Sequence, residues 1–489
     1  MKTSKVSAIA LDLGTTSIKA GLLNRRGELT LIRSKPAPKI IASGGRYESD
    51  AIAYATAAEC LLDEIVAQAG GCKVLGMCLQ RSTFVIWDKE SGLPVTPLIS
   101  WQDDRGASSC ADLKDHGKLI RELSGLPLTP YYFAPKLRHV LQQNPDWLCK
   151  LEAGQLLVGT LDTFLLWRWS GGTCHVTDGS MAARTLLMDT GRSQWSEELC
   201  DLFEIPIHIL PDIRPSDAME IWLNNGLKVV ASVGDQSAAL IASVKEDGAE
   251  VLVNLGTGCF VVRFVAESET SEIGLLNQGY LHTLVYQGKG GTGHFALEGS
   301  LNSIASVLRH YPVEECTIAD MAINNIHCII EPNGMGAPFF VHRQFADCYP
   351  DRHHINLGVQ FSEPVALLSP RQIAALLLEA VIFRVARILE DFRLSFPFDS
   401  ICLSGGLSEL ASLQQGIAMC ARCTVFRLTQ SESSLLGVAL LAAGLTMQPS
   451  LENERVLVGS GECELYKKYL RWKDWLDKLL NGNISLDVS

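Results

Sequence analysis

Residues 9–23 read IALDLGTTSIKAGLL, two apolar runs that flank Asp12 and a Gly-Thr-Thr-Ser turn. Each run has the length of a β-strand, so the stretch predicts a β-hairpin with the turn at its tip. Gly14 has no Cβ, which lets a ligand approach the backbone closely. The turn also supplies three hydroxyl groups, those of Thr15, Thr16 and Ser17. The hairpin is a candidate phosphate site with Asp12 placed to hold a hydrated Mg²⁺, although a plain capped turn explains the same residues.

A second stretch repeats this pattern near the middle of the chain. Residues 250–264 read EVLVNLGTGCFVVRF, again a strand, a Gly-Thr-Gly turn and a strand. Two such hairpins, one at the start of each half, predict a duplicated domain with a ligand cleft between the copies. We place the boundary at residue 244, which gives domains of residues 1–244 and 245–489.

Composition and charge exclude several classes of protein. The chain has 489 residues, 47% of them hydrophobic, and a formal net charge of −12. This balance argues against binding to nucleic acid or to anionic membranes, since both attract basic surfaces. The sequence has no apolar run of about 18 residues or more, so no membrane span is expected. The basic N-terminus leads directly into a strand rather than a signal peptide, and we expect a cytoplasmic protein.

The fifteen cysteines are scattered through apolar segments, as Cys60, Cys78, Cys259 and Cys402 show. This distribution predicts reduced, buried thiols. Two groups of residues raise the alternative of a metal site, but neither has the spacing of a standard one. They are Cys420 with Cys423, and His342 with Cys348, His353 and His354.

Three further predicted strands end on polar or glycine-rich residues. Val74–Leu79 leads into Gln80-Arg81-Ser82-Thr83, Leu227–Val233 into Gly234-Asp235-Gln236-Ser237, and Ser400–Leu403 into Ser404-Gly405-Gly406. Ligands bind at the carboxyl edge of parallel strands, and a Gly-Gly loop offers free N–H groups to a nucleotide. Asp235 has two interpretations, the N-cap of a helix that runs from Ala238 or a catalytic carboxylate.

These stretches, together with others in a fixed order, resemble the FGGY family of carbohydrate kinases, and within it the glycerol kinases. The resemblance covers nearly the whole chain. It rests on Leu79-Gln80-Arg81, Ser100-Trp101-Gln102, Gly159-Thr160-Leu161-Asp162-Thr163, His175-Val176-Thr177-Asp178, Ala183-Arg184-Thr185, Gly234-Asp235-Gln236, Gly256-Thr257-Gly258-Cys259-Phe260 and Ala296-Leu297-Glu298-Gly299.

The resemblance implies an α/β fold of two actin-like, ribonuclease H-like lobes, each a mixed sheet flanked by helices, with the active site in the interlobe cleft. It implies ATP and Mg²⁺ as cofactors, a polyol or small sugar as the substrate, and Asp235 as the catalytic base. The residues matching the nucleotide side are Thr15, Thr16, Ser17, Lys19, Gly256, Thr257, Gly405 and Gly406, with Asp12 and Asp235 on the metal side. Those matching the acceptor side are Arg81, Ser82, Trp101, Tyr131, Asp235, Gln236 and Phe260.

Two positions depart from the family pattern. Ser82 stands where glycerol kinases carry a glutamate, so a carboxylate that accepts hydrogen bonds from two substrate hydroxyls is missing and the pocket has more room. The Gln-Met-His-Gly sequence typical of xylulokinases is also absent here. Leu410 stands where the family often has an asparagine beside the adenine. The acceptor therefore remains open between glycerol, a tetritol, a pentulose and a sugar acid.

We expect an ATP-dependent kinase that phosphorylates a primary hydroxyl. The alternative from another class is a non-catalytic relative that binds sugar or nucleotide, which Leu410 favours and the intact Asp12 and Asp235 oppose. A sugar-responsive repressor would need a DNA-binding helical pair before the first strand, and we discount it. Dimers and tetramers are frequent in the family, but the sequence locates no interface.

Overall fold

The computed structural model describes residues 6–256, 258–266, 280–301, 304–330, 359–429, 432–445, 453–457 and 464–480. Thr257, the glycine-rich stretch 334–340 and the group His342, Cys348, His353 and His354 lie outside the described residues. The chain forms two compact units. Unit 1 comprises Met1–Ser243, His282–Ala296 and Glu432–Gln448, and unit 2 comprises Val244–Leu281, Leu297–Ser431 and Pro449–Ser489. Two stretches from the second half of the chain therefore belong to unit 1.

The strands follow one another along the chain in this order. They are β1 (Val6–Leu13), β2 (Ser17–Asn24), β3 (Leu29–Pro36), β4 (Ile41–Ser43), β5 (Arg46–Ser49), β6 (Val74–Leu79), β7 (Phe84–Asp88), β8 (Leu98–Ile99), β9 (Leu156–Thr160), β10 (Val176–Asp178), β11 (Met188–Asp189), β12 (Gln194–Trp195), β13 (Asp212–Arg214), β14 (Ile221–Trp222), β15 (Lys228–Gly234), β16 (Glu250–Leu255), β17 (Cys259–Val265), β18 (Leu281–Gln287), β19 (Gly293–Leu301), β20 (Cys328–Ile330), β21 (Val359–Phe361), β22 (Ser400–Ser404), β23 (Thr424–Arg427) and β24 (Glu454–Arg455).

The α-helices are numbered in the same way. They are α1 (Ala51–Val66), α2 (Ala107–Asp112), α3 (Gly117–Ser124), α4 (Phe133–Gln143), α5 (Pro145–Glu152), α6 (Leu161–Trp169), α7 (Gly179–Ala182), α8 (Glu197–Leu202), α9 (Asp235–Ser243), α10 (Ile304–Leu308), α11 (Pro370–Ser395), α12 (Ala411–Ala421), α13 (Ser433–Ala443) and α14 (Glu464–Leu480). None of these described helices is both long and apolar enough to cross a membrane.

The main sheet of unit 1 has six strands in the order β14-β15-β6-β1-β2-β3. Strands β1, β6 and β15 are parallel, with Leu13 paired to Leu79 and Leu79 paired to Gly234. Their carboxyl ends therefore lie side by side. The residues that follow, which carry most of the predicted site of the first half, leave the sheet at this one edge.

Helix α13 packs on this sheet through residues without bulky side chains. A Cβ atom on Gly76 of β6 would lie 2.6 Å from the carbonyl oxygen of Val438, and one on Gly437 would overlap the carbonyl group of Ala238 in α9. The backbones can approach this closely only because both positions are glycine. Helix α13, which comes from the second half of the chain, thus packs as part of unit 1.

A second sheet of unit 1, in the order β4-β5-β8-β7-β9, lies in the same part of the chain. Strand β8 pairs with β7 through Phe84 and Ile99, and Trp101 follows two residues after the end of β8. Trp87 of β7 is fully buried against Phe164 and Trp167. This apolar packing gives the Trp101 loop a rigid base.

Unit 2 contains the strands β17, β16, β22, β23 and β24, hydrogen-bonded in that order. Strands β16 and β22 are parallel, with Asn254 paired to Ser404, so the second Gly-Thr-Gly turn and the Gly405 loop leave the sheet together. The long helix α11 begins with a capping box of Ser369 and Gln372 and buries most of its residues. A capping box satisfies two of the free N–H groups at a helix start.

Two local predictions are corrected by the structure. Cys60 is exposed, not buried, because it lies on the outward face of the amphipathic helix α1. Helix α9 begins at Asp235 and not at Ala238, so Asp235 belongs to the first turn of the helix.

Candidate active site

Asp12 lies at the end of β1, one residue before the hairpin turn. Asp12 is half-buried, and desolvation, followed by the negative charge of Asp235, raises the pKa of its carboxyl group to about 7. Lys19 acts in the opposite direction. Two carboxyl groups that repel one another at a strand edge are suited to a divalent cation, because the cation relieves their repulsion.

Asp235 follows β15 directly. Its Oδ1 atom lies 3.7 Å from Nε of Arg81 and accepts a hydrogen bond of 2.7 Å from the N–H of Gln236. The N–H of Gly234 donates to Oγ of Ser180 at 2.8 Å, which fixes the backbone just before Asp235.

The hairpin turn is tightly built. The N–H of Gly14 donates to the carbonyl oxygen of Ser17 at 3.2 Å, and a Cβ atom on Gly14 would lie 2.9 Å from that oxygen. The hydroxyl of Tyr54 donates to the carbonyl oxygen of Gly14 at 2.7 Å. Lys19, on the second strand of the hairpin, forms an ion pair of 2.6 Å with Glu432. The turn is thus held on both sides while Thr15 and Thr16 occupy its tip.

The acceptor-side residues of unit 1 lie on three loops. Ser82, which follows Arg81, has a φ of 60° and is 5% exposed, and its hydroxyl donates to the carbonyl oxygen of Arg184 at 2.7 Å. Trp101 is 36% exposed. Tyr131 is half-buried, and burial together with the charge of Asp104 raises the pKa of its hydroxyl. Arg81, Trp101 and Tyr131 therefore offer one cation and two aromatic faces.

In unit 2 the nucleotide-side residues surround the end of β16. Gly405 has a φ of 87°, and a Cβ atom there would lie 2.5 Å from both Oδ1 of Asn254 and the carbonyl oxygen of Leu255. Gly406 begins a short 3-10 helix, and a Cβ atom there would meet nothing within 4 Å among the described residues. The N–H of Gly256 donates to the carbonyl oxygen of Gly258 at 2.8 Å.

Two other residues of unit 2 bear on the predicted ligands. Phe260 is half-buried on β17, opposite Asn254. Leu410, at the position where the sequence predicts an altered adenine contact, is half-buried just before α12.

The structure brings together Asp12, Thr15, Arg81, Trp101 and Asp235 within unit 1. The ion pair joins Arg81 to Asp235, the charge of Asp235 acts on Asp12, and the indole N–H of Trp101 donates to Oγ1 of Thr15. Among the described residues no group of three or more His, Cys, Asp or Glu side chains could hold a metal ion. A cation at Asp12 and Asp235 would therefore draw its other ligands from water and substrate, as Mg²⁺ commonly does.

Sequence reasoning missed several residues that shape this site. Lys136 is completely buried and donates to the carbonyl oxygens of Ser82 and Ser100 at 2.9 and 2.8 Å. The only signal in the sequence was a lysine within the apolar pattern of α4. Glu432, the partner of Lys19, lies 413 positions away in the chain and carried no signal at all.

Comparison with known proteins agrees with this architecture. Residues 7–242 match the N-terminal domain of the FGGY family of carbohydrate kinases, and residues 251–445 match its C-terminal domain. Glycerol kinase of Mycoplasma genitalium is 30% identical over 472 residues, 90% of each chain. The crystal structure of Plasmodium falciparum glycerol kinase with ADP matches with a TM-score of 0.77 and 20% identity, covering 98% of this chain and 99% of that one. The structure of xylulose kinase from Rhodospirillum rubrum matches with a TM-score of 0.76 and 17% identity over 97% and 99%.

The fold and these matches define a two-domain carbohydrate kinase, an ATP-using phosphotransferase that acts on a small molecule. The chain belongs to the FGGY family of carbohydrate kinases. Glycerol and xylulose kinases match its fold almost equally, so the fold alone does not select the acceptor.

Proposed function

We propose that this protein transfers the γ-phosphoryl group of ATP to a primary hydroxyl of a small polyol, either glycerol or a polyol or sugar one or two carbons longer. The observation that carries the proposal is the convergence of Asp12, Arg81 and Asp235 at one edge of the unit 1 sheet. Phosphoryl transfer requires positioning, charge neutralisation and one carboxylate beside the attacking hydroxyl, and these three side chains supply them.

In this proposal Asp235 is the general base. It takes the proton of the acceptor hydroxyl as that oxygen bonds to the γ-phosphorus, and ADP leaves with the electron pair of the broken P–O bond. Arg81 lies 3.7 Å from Asp235 and would donate hydrogen bonds to acceptor hydroxyls. Asp12 and Asp235 would hold Mg²⁺, which supplies positive charge to the phosphate oxygens when bound.

Two sets of residues are proposed to contact the nucleotide. In unit 1 they are the hydroxyl and N–H groups of Thr15, Thr16 and Ser17 and the ammonium of Lys19. In unit 2 they are Gly256, Thr257, Gly405 and Gly406. Trp101, Tyr131, Gln236 and Phe260 would contact the acceptor, and aromatic faces beside polar groups are usual in sugar pockets.

Ser82 bears on the choice of acceptor. Its hydroxyl proton is already donated to the Arg184 carbonyl, so Ser82 offers an acceptor molecule little more than a lone pair. A glutamate at this position would add a carboxylate that binds two hydroxyls. We therefore propose weaker selection for glycerol than in kinases with that glutamate, and tolerance of longer polyols.

The test is a panel of polyols, ketoses and sugar acids assayed with Mg·ATP. We expect phosphorylation of glycerol or of a four- or five-carbon polyol or ketose, and a loss of at least about 100-fold in kcat for Asp235→Asn. Asp201→Asn, an exposed aspartate of α8, serves as the matched control and should retain activity. If the wild type phosphorylates nothing in the panel, or Asp235→Asn retains its activity, the catalytic proposal fails and a non-catalytic binding role takes its place.

A further inference from the structure

Four residues of unit 1 form a closed ring of hydrogen bonds beside the predicted phosphate hairpin. The backbone N–H of Trp101 donates to Oγ1 of Thr83 at 3.0 Å, and the Thr83 hydroxyl donates to Oε1 of Gln80 at 3.2 Å. The indole N–H of Trp101 donates to Oγ1 of Thr15 at 3.0 Å, and Thr15 donates to the same Oε1 at 3.0 Å. We call Thr15, Gln80, Thr83 and Trp101 the Gln80 ring.

The Gln80 ring connects two functions within the proposed site. Trp101 is its acceptor-side member and remains 36% exposed, whereas Gln80 and Thr83 are 4% and 1% exposed. Thr15 is its phosphate-side member. The hydroxyl of Tyr54 donates to the carbonyl oxygen of Gly14 in the same hairpin at 2.7 Å. A shift of Trp101 can therefore alter the hydrogen bonds of Thr15 in the hairpin through the buried side chains of Thr83 and Gln80.

The proton of the Thr15 hydroxyl decides what the ring can do. A threonine hydroxyl has one proton, and in this arrangement it is donated to Gln80. While the ring is closed, Thr15 can accept a hydrogen bond but cannot donate one to a phosphate oxygen. Nucleotide binding through this hydroxyl and closure of the ring exclude one another.

We propose that the Gln80 ring is a coupling device, in which an acceptor bound against Trp101 draws the indole N–H away from Thr15. Thr15 then keeps only its bond to Gln80, and its hydroxyl can turn from Gln80 to the nucleotide phosphates. Gln80 and Thr83 are then positioning residues and touch neither substrate. This inference rests on the proposed function, since it needs an acceptor at Trp101 and a nucleotide at the hairpin. It predicts that acceptor and nucleotide bind with positive cooperativity, and by linkage each strengthens the other by the same factor.

The experiment measures the dissociation constant of Mg·ADP with and without saturating glycerol, or with the best acceptor of the panel. We expect a ratio of at least about fivefold in the wild type, within the usual range for coupled sites. Thr83→Val keeps the shape of the side chain and removes the hydroxyl that accepts from the backbone N–H of Trp101 and donates to Gln80. Trp101 is then no longer held where its indole reaches Thr15, and the ratio should fall to about 1. Thr83→Ser restores the hydroxyl and should restore the ratio.

Thr163→Val is the matched control. Thr163 is also completely buried, and its hydroxyl has no hydrogen-bond partner among the described residues, so the change removes no bond of the ring. Its ratio should equal that of the wild type.

Trp101→Phe provides a second test that leaves the buried part of the ring in place, because it keeps an aromatic face and removes only the indole N–H donor to Thr15. Its ratio should also approach 1.

The result that overturns the inference is a wild-type ratio of 1, or a ratio unchanged in both Thr83→Val and Trp101→Phe. These outcomes are read from binding alone. Failure of the proposed function is read separately from turnover, as a wild type that phosphorylates no compound in the panel.

Discussion

Replacement of Lys136 by methionine should separate stability from activity in this protein. Lys136 is completely buried, and its ammonium donates to the carbonyl oxygens of Ser82 and Ser100. Burial lowers its pKa from the ordinary 10.5 to about 7, with Asp103 raising it and Arg105 lowering it further. The residues adjacent to those two carbonyls are Arg81 and Trp101, so one lysine holds both acceptor loops.

The magnitude follows from the pKa of Lys136. At pH 7 the unfolded chain holds this proton fully and the folded chain about half, so ionisation costs the fold on the order of 4 kcal/mol. Lys136→Met removes that cost, but it leaves the two buried carbonyl groups without their donor, about 1–3 kcal/mol each. The two effects nearly cancel. We expect a change in the free energy of unfolding of no more than about 2 kcal/mol at pH 7, with kcat/KM for the acceptor reduced about 10-fold or more.

The pH dependence gives the sharper measurement. The folded pKa of Lys136 lies below its unfolded value, so the penalty is fully present below pH 7 and is relieved as pH rises toward 10.5. Wild-type stability should therefore rise relative to Lys136→Met by about 2 kcal/mol in all between pH 7 and 9. Urea unfolding of both proteins at several pH values measures this difference, in which other titrating groups cancel. If the difference in free energy of unfolding between the two proteins does not change with pH, the conclusion that Lys136 is buried and partly neutral is wrong.

Three further predictions concern the nucleotide side. Gly405→Ala should destabilise the protein by about 1–3 kcal/mol and weaken nucleotide binding. The reason is that the new methyl group would meet Asn254, at a φ that alanine avoids. Urea unfolding measures the first effect and ADP titration the second. Leu410→Asn should raise the ratio of kcat/KM for ATP over GTP, since an amide can hydrogen-bond adenine, and an unchanged ratio would mean that position 410 does not face the base. Glu432→Gln should lower the KM for ATP, because Lys19 loses its ion-pair partner and its ammonium becomes available to phosphate. The control is Glu59→Gln, which replaces a glutamate of α1 that pairs with Arg168.

Residues of the candidate site could be predicted from the sequence where a short stretch around each of them forms a recognisable pattern. Asp12 and Asp235 each follow an apolar run, and the ends of parallel strands meet at one edge of a sheet. The predicted strands near residues 74–79, 227–233 and 400–403 were found within a residue or so of their predicted ends. The start of α9 was predicted three residues too late, because aspartate is common both at the N-cap and in the first turn of a helix.

Other features depended on contacts between distant parts of the chain. The two halves that the hairpins predict do not contain the whole of each unit, since Glu432–Gln448 belongs to unit 1. Helix α13 packs in unit 1 because Gly76 and Gly437 allow close approach of the backbones. The periodicity of the sequence does not predict this contact. The exposure of Cys60 likewise depended on which face of α1 the rest of the unit covers.

By itself the sequence determined the two hairpins, the strand ends and the residue types they present, because spacing and polarity act over a few residues. Only the tertiary structure decided how those residues are held. Lys136 reaches two carbonyl groups, Lys19 pairs with Glu432, and Gln80 joins Thr15 to Trp101. The physical reason is that a hydrogen bond needs two groups within about 3 Å, and for residues tens or hundreds of positions apart only the completed fold creates that proximity.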